Sequence, residues 1–177
     1  MSIVPKLSST EKEDLILKGI NKYRKSVNVS ELAENDKASC LADEIADDLE
    51  DQPCSGADKF ADDPTRTVTE LVNFPKLANK CDINITTTTD GVILPVCVPD
   101  LVSELVLGNY THSPYKKFLK DSKYSGTGVG SEGAWIVVVL TTDKPTGSFS
   151  AATSLAAFGI VQALVVSFLG SVVALLY

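Results

Sequence analysis

The chain has 177 residues, a net charge of -7 and a pI near 4.7, so it offers no basic stripe to phosphates and nucleic acid is excluded as a partner. Hydrophobic residues make up 44% of it; a C-terminal apolar run inflates that figure, and what precedes the run has the composition of one soluble domain. A single histidine excludes metal sites built on two or three histidines.

Residues 1–13 read as a leader remnant or flexible N-terminus. Met1 to Thr10 carries neither a basic n-region nor an apolar stretch of roughly 7–15 residues, so a translocated chain needs a signal peptide upstream of Met1. Thr10-Glu-Lys-Glu13 has the form of a capping box, and Leu15, Ile16, Gly19, Ile20 and Tyr23 follow at helical spacing, predicting a helix over about residues 11–25. A second helix is predicted over about residues 37–51, with Ala38, Leu41, Ala42, Ile45, Ala46 and Leu49 as its apolar face. Its other face carries Asp43, Glu44, Asp47, Asp48, Glu50 and Asp51. These lack the alternating oxygen ligands and central glycine of an EF-hand and read as a solvated face.

Residues 52–67 form a polar loop rich in breakers. A helical stretch from Val68 to Lys80 is expected to be interrupted at Pro75. Asp90-Gly91, between Thr-rich and Val-Ile-Leu runs, signals a hairpin, and Pro95 confines its second arm to an edge or a short strand. Asp100 is placed to cap a helix of Leu101, Val102, Leu105, Val106 and Leu107 ending near Gly108, and Tyr115 to Leu119 form a short helix. The run Tyr124 to Gly130, a turn at Ser131-Glu-Gly133 and the run Ala134 to Thr142 predict two strands. Helices early and strands late place the domain, residues 14–143, in the α+β class.

Residues 144–154 read as a linker without a core pattern. No charged residue follows Lys144, and residues 155–177 are long enough for a hydrocarbon layer of about 30 Å, with nothing hydrophilic after them. That arrangement looks like a glycosylphosphatidylinositol (GPI) attachment signal, whose tail is removed and replaced by lipid. Such a site needs three small residues before the spacer and apolar tail. Ser150-Ala-Ala152 supplies them; Ser148 and Gly147 are weaker alternatives, because bulky Phe149 falls within their windows.

Cys40, Cys54, Cys81 and Cys97 are even in number, and no two are separated by only two residues. Two disulfides are expected, with three connectivities open. Asn28-Val-Ser30, Asn84-Ile-Thr86 and Asn109-Tyr-Thr111 fit the N-glycosylation pattern, Asn109 falling where the helix beside Gly108 is expected to end. Together they favour a translocated domain over a tail-anchored cytosolic one.

Catalytic signals are absent. Gly128-Val-Gly130-Ser-Glu-Gly133 matches G-x-G-x-x-G, but β-branched residues follow where a dinucleotide site needs a helix. A Ser-His-Asp or Cys-His site would have to use His112, no G-x-S-x-G elbow exists, and no carboxylate spacing suggests glycosidase chemistry. No cofactor is expected, and the chain is read as a non-enzyme.

Leu17 to Arg24, Cys40 to Asp47, Asp90 to Pro99 and Gly126 to Thr142 resemble the plant family of small, uncharacterised GPI-anchored glycoproteins. The resemblance implies N-glycans, a GPI lipid and attachment to the outer leaflet of the plasma membrane, with cell-wall polymer, lipid or protein as possible ligands. Asn21-Lys-Tyr-Arg24, Leu32, Leu41-Ala42, His112-Ser-Pro114 and Gly128-Val-Gly130 are also similar, more faintly, to the CAP superfamily of cysteine-rich secretory, antigen 5 and pathogenesis-related proteins. That likeness implies a CAP-like α-β-α sandwich. The CAP cavity presents two histidines, and here the second position falls on or near Pro114-Tyr115, so metal binding and hydrolysis do not carry over. A degenerate CAP-type hydrolase remains a lesser alternative beside the tail-anchored one.

Overall fold

The computed structural model describes residues 7–56, 73–88 and 90–149; the tail at 155–177 and Ser150 lie outside them. Helix α1 spans Ser9–Ser26. Its capping box is Ser8 with Glu11, two positions ahead of the expected Thr10 and Glu13: the Glu11 backbone N–H donates to the Ser8 hydroxyl, and the Ser8 N–H donates back to the Glu11 carboxylate. Both pairs have the same sequence form, and the earlier one satisfies the first free N–H groups. The helix therefore begins inside the segment read as an N-terminal tail.

A two-residue strand β1, Ala33–Glu34, precedes helix α2, Asp36–Leu49, which Asn35 caps by accepting from the Ala38 N–H. The six apolar positions expected on α2 are all fully buried. Helix α3, Phe74–Lys80, carries Pro75 in its first turn, where the missing N–H costs nothing. The part of the expected stretch before residue 73 lies outside the described residues.

Strand β2, Val92–Cys97, is not the second arm of a hairpin at Asp90-Gly91. Residues 85–87 form a turn, and β2 pairs antiparallel with a strand far along the chain, Trp135–Thr142, here β4. Strand β3, Tyr124–Glu132, completes a sheet of order β1-β3-β4-β2, in which only β1–β3 is parallel. Pro95 lies on an outer strand, where a missing ladder donor is tolerated.

After a short 3-10 turn at Pro99–Leu101, helix α4 spans Ser103–His112 and α5 spans Lys116–Leu119. Asp100 does not cap α4; it has a left-handed φ of 60° inside the turn. The helix also runs straight through Gly108, because Val106 and Tyr110 on either side of it are held in the core.

The sheet separates two cores. Val92, Leu94, Val96, Ile136, Val138 and Leu140 face α1, α4 and α5, where Ile16, Ile20, Tyr110, Tyr115 and Leu119 are buried. Ile93, Val137, Val139 and Trp135 face α2 and α3. Strand β4 is buried along its whole length, as a central strand covered on both faces must be. The result is an α-β-α sandwich.

Gly128 and Gly130 let α2 lie directly on β3: a Cβ on the first would run into the backbone of Ala38 and Ser39, and on the second into that of Ala42 and Asp43. With Gly133 at φ +56° in the β3–β4 turn, the G-x-G-x-x-G match lies on a strand and a turn and is followed by strand β4, not by a helix.

The expected linker is corrected over residues 144–149. The Thr142 N–H donates to the Gly147 carbonyl at 2.8 Å, the Asn35 side chain donates to the Ser148 carbonyl at 2.9 Å, and Phe149 is buried in the second core. One aromatic among Ser, Thr and Gly leaves no periodicity to read. Two disulfides, Cys40–Cys81 and Cys54–Cys97, tie α2 to the end of α3 and the turn after α2 to β2.

Candidate functional site

Strand β1 covers only the first half of β3. Beyond Thr127 the edge of β3 is flanked by the N-terminal half of α1 and the middle of α2, and between them lies a cleft of about 390 Å³. Helix α1 contributes Ser9, Thr10 and Glu13; α2 contributes Asp43, Glu44 and Asp47; β3 contributes Ser131 and Glu132. Strand alternation sends Ser131 toward α1, where its hydroxyl donates to Glu13 Oε1 at 2.6 Å. Asp43 lies against Gly130 at the cleft floor. Partial burial, then the neighbouring Glu13 and Glu44 charges, push its pKa up to about 6.

The chemistry available in the cleft is carboxylate and hydroxyl. The Ser131–Glu13 pair lacks the imidazole that activates a serine. His112 does not line the cleft; it ends α4, with Nδ1 2.9 Å from the Thr111 hydroxyl. Among the described residues no three His, Cys, Asp or Glu side chains are placed to hold a metal ion.

Asn21 and Arg24, read in the sequence only as family echoes, have a structural role. Asn21 clamps Leu32 by donating to its carbonyl and accepting from its N–H. Arg24 is fully buried and donates to the carbonyls of Ser30 at 2.7 Å and of Leu119 and Tyr124 at 2.8 Å each. These bonds fasten the loop after α1 and the loop between α5 and β3.

The structure does not bring the remaining sequence candidates together. Asn28, Asn84 and Asn109 are all exposed. Asn28 follows α1 with φ 60°, and Asn84 accepts from the N–H and hydroxyl of Thr86. Asn109 is inside α4 rather than at a helix end, its side chain donating to the Leu105 carbonyl at 2.9 Å. Gly147 is buried and Ser148 partly so. The cleft itself had no signal in the sequence, because Glu13 and Ser131 meet only through the fold.

The fold class is an α-β-α sandwich with helices early and strands late, and in solved structures it resembles domains of the CAP type, also called SCP. Two solved structures share it. One is a cysteine-rich secretory protein from Staphylococcus aureus, with a TM-score of 0.51 and 12% identity over 81% of this chain and 42% of that one. The other is an extracellular protein containing an SCP domain from Bacillus anthracis, with a TM-score of 0.56 and 14% identity over 79% of this chain and 44% of that one. The chain spans less than half of either, and at such identity the likeness is one of fold.

Within that class the chain belongs to the family described as uncharacterized GPI-anchored protein At5g19230-like domain, whose model matches residues 13–140. A relative from Arabidopsis thaliana, uncharacterized GPI-anchored protein At3g06035, is 49% identical over 149 residues, which are 84% of this chain and 74% of the relative.

Proposed function

We propose that the protein is a GPI-anchored glycoprotein on the outer leaflet of the plasma membrane, and that its domain is a non-enzymatic binding or structural module. The observation that carries the non-enzymatic reading is the cleft: it presents carboxylates and hydroxyls, while the one histidine lies outside it. Family membership and the uncharged tail support the anchor. Among attachment sites Ser150 is favoured over Ser148 and Gly147, because those two belong to the segment folded onto β4 and α2. The ligand classes open to such a module are a cell-wall polymer, a lipid or a protein.

The test uses the full gene expressed in plant cells. Phosphatidylinositol-specific phospholipase C is expected to release the protein from intact cells. An N-glycosidase tolerant of plant core fucose is expected to increase its mobility by removing glycans at Asn28, Asn84 and Asn109. A band unmoved by either enzyme would mean a tail-anchored protein with a cytosolic domain and would end this reading.

A further inference from the structure

Helix α4 sorts its side chains by direction. Val106 and Tyr110 point into the core under the sheet, and Leu107 packs against Gly19 of α1. The outward stripe carries Val102, the residue before the helix, then Leu105 and Asn109, at spacings of three and four. Leu105 is 58% exposed and Val102 42%, and among the described residues Leu105 is the most exposed large apolar side chain.

The sequon at Asn109 puts its acceptor on the same stripe. Asn109 Nδ2, the atom that takes an N-glycan, donates to the Leu105 carbonyl at 2.9 Å. A helical side chain leans toward the N-terminus and covers the turn before its own Cα, which for Asn109 is the turn of Leu105. In glycosylation Nδ2 gives up one proton and bonds to C1 of a sugar, while the diphosphate of a lipid-linked donor leaves. The second N–H stays and can keep the bond to Leu105. Tyr110 is buried and the Thr111 hydroxyl donates to the Leu107 carbonyl at 2.7 Å, so a modifying enzyme reaches this sequon before α4 closes.

We propose that the Asn109 glycan runs back along α4 and covers Leu105 and Val102, the C–H faces of its first sugars taking the place of water. This rests on the glycoprotein reading above and gives one of its glycans a packing role. Geometry chooses the occupant: the sugar is bonded to an atom beside Leu105, so its local concentration there exceeds that of anything free in solution. A protein partner would need about 800 Å² of surface on this side. Two apolar side chains flanked by exposed Glu104 and Asn109 do not supply it.

Hydroxyl-radical labelling read by tandem mass spectrometry tests this on the full gene product in plant-cell membranes. Leu15, on α1 and 42% exposed, is the internal standard, being the same residue type. The native protein is expected to label less at Leu105 than at Leu15. In Asn109→Gln, which lacks the glycan, Leu105 is expected to overtake Leu15, toward the ratio of their exposures, 58% to 42%. Removing the glycan from the folded native protein with an N-glycosidase should do the same without a substitution. Thr111→Ser keeps the sequon and should stay protected, so a change within α4 is not the cause of the rise. Val106, fully buried, should stay unlabelled throughout, which shows that the fold is intact. Equal labelling of Leu105 with and without the glycan overturns the proposal; if both are low, another molecule covers the ridge. Peptide maps separate the two readings. Glycans at Asn28 and Asn84 with a bare Asn109 end this proposal alone, and no glycan at any of the three ends both.

Discussion

Arg24 donates a hydrogen bond of 2.8 Å to the carbonyl of Leu119, a residue 95 positions later in the chain. With its bonds to Ser30 and Tyr124, this joins the first helix to the entry of the central hairpin. A buried cation is tolerated here because carbonyl oxygens on three sides replace water.

Arg24→Met is expected to destabilise the protein by about 3 kcal/mol, since it strands several buried carbonyls at once. Arg24→Lys should recover less than half of this, because an ammonium cannot reproduce the planar fork. Urea unfolding monitored by Trp135 fluorescence measures both; a loss below about 1 kcal/mol for the methionine variant would refute the clamp.

Asp43 sets a pH dependence. Its folded pKa, about 6, lies above its ordinary value of 3.8, so the folded state binds the proton more tightly than the unfolded state. The stabilisation is complete below about pH 3.8 and is lost as pH rises through about 6. Much of Asp43 remains in solvent, so screening reduces the effect to about 1 kcal/mol. Asp43→Asn should therefore raise stability at pH 7 and leave it unchanged near pH 4. Melting curves across that range test this, and a variant with a parallel pH profile would contradict it.

The glycines divide sharply. Gly128→Ala is expected to cost about 1–3 kcal/mol or more, because the methyl group meets α2 backbone that cannot move aside cheaply. At Gly108 a Cβ would meet nothing within 4 Å, and the residue lies within α4, so Gly108→Ala should stabilise by about 0.5–1 kcal/mol. Chemical denaturation of the two variants should shift the midpoint in opposite directions.

The disulfides are expected to appear in non-reducing peptide maps as one linked pair containing Cys40 and Cys81 and another containing Cys54 and Cys97. Replacing Cys40 and Cys81 together by alanine should cost about 2–4 kcal/mol, chiefly by freeing the unfolded chain. Recovery of a Cys40–Cys54 peptide would disprove the pairing.

Elements governed by short-range chemistry could be read directly from the residues. The six apolar positions of α2 repeat at helical spacing, and the β-branched run Ile136 to Val139 has few alternatives to a strand, so both elements were legible. Pro95 alone announced an outer strand, and four cysteines announced two bridges. Asn21, Arg24 and the paired glycines carried the family likeness without revealing what each does.

The pairing of those elements depends on long-range packing. Asp90-Gly91 has hairpin chemistry, yet β4 offers Val92 to Cys97 a fully buried ladder that a local threonine-rich arm cannot match. Gly108 has the form of a helix end, but Val106 and Tyr110 are held in the core around it and carry α4 through. Phe149 has no local pattern and gains its place from a hole beside Gly91. The acidic cleft joins three segments distant in sequence. In each case the free energy comes from burial and hydrogen bonds between residues far apart along the chain, which local propensity cannot register.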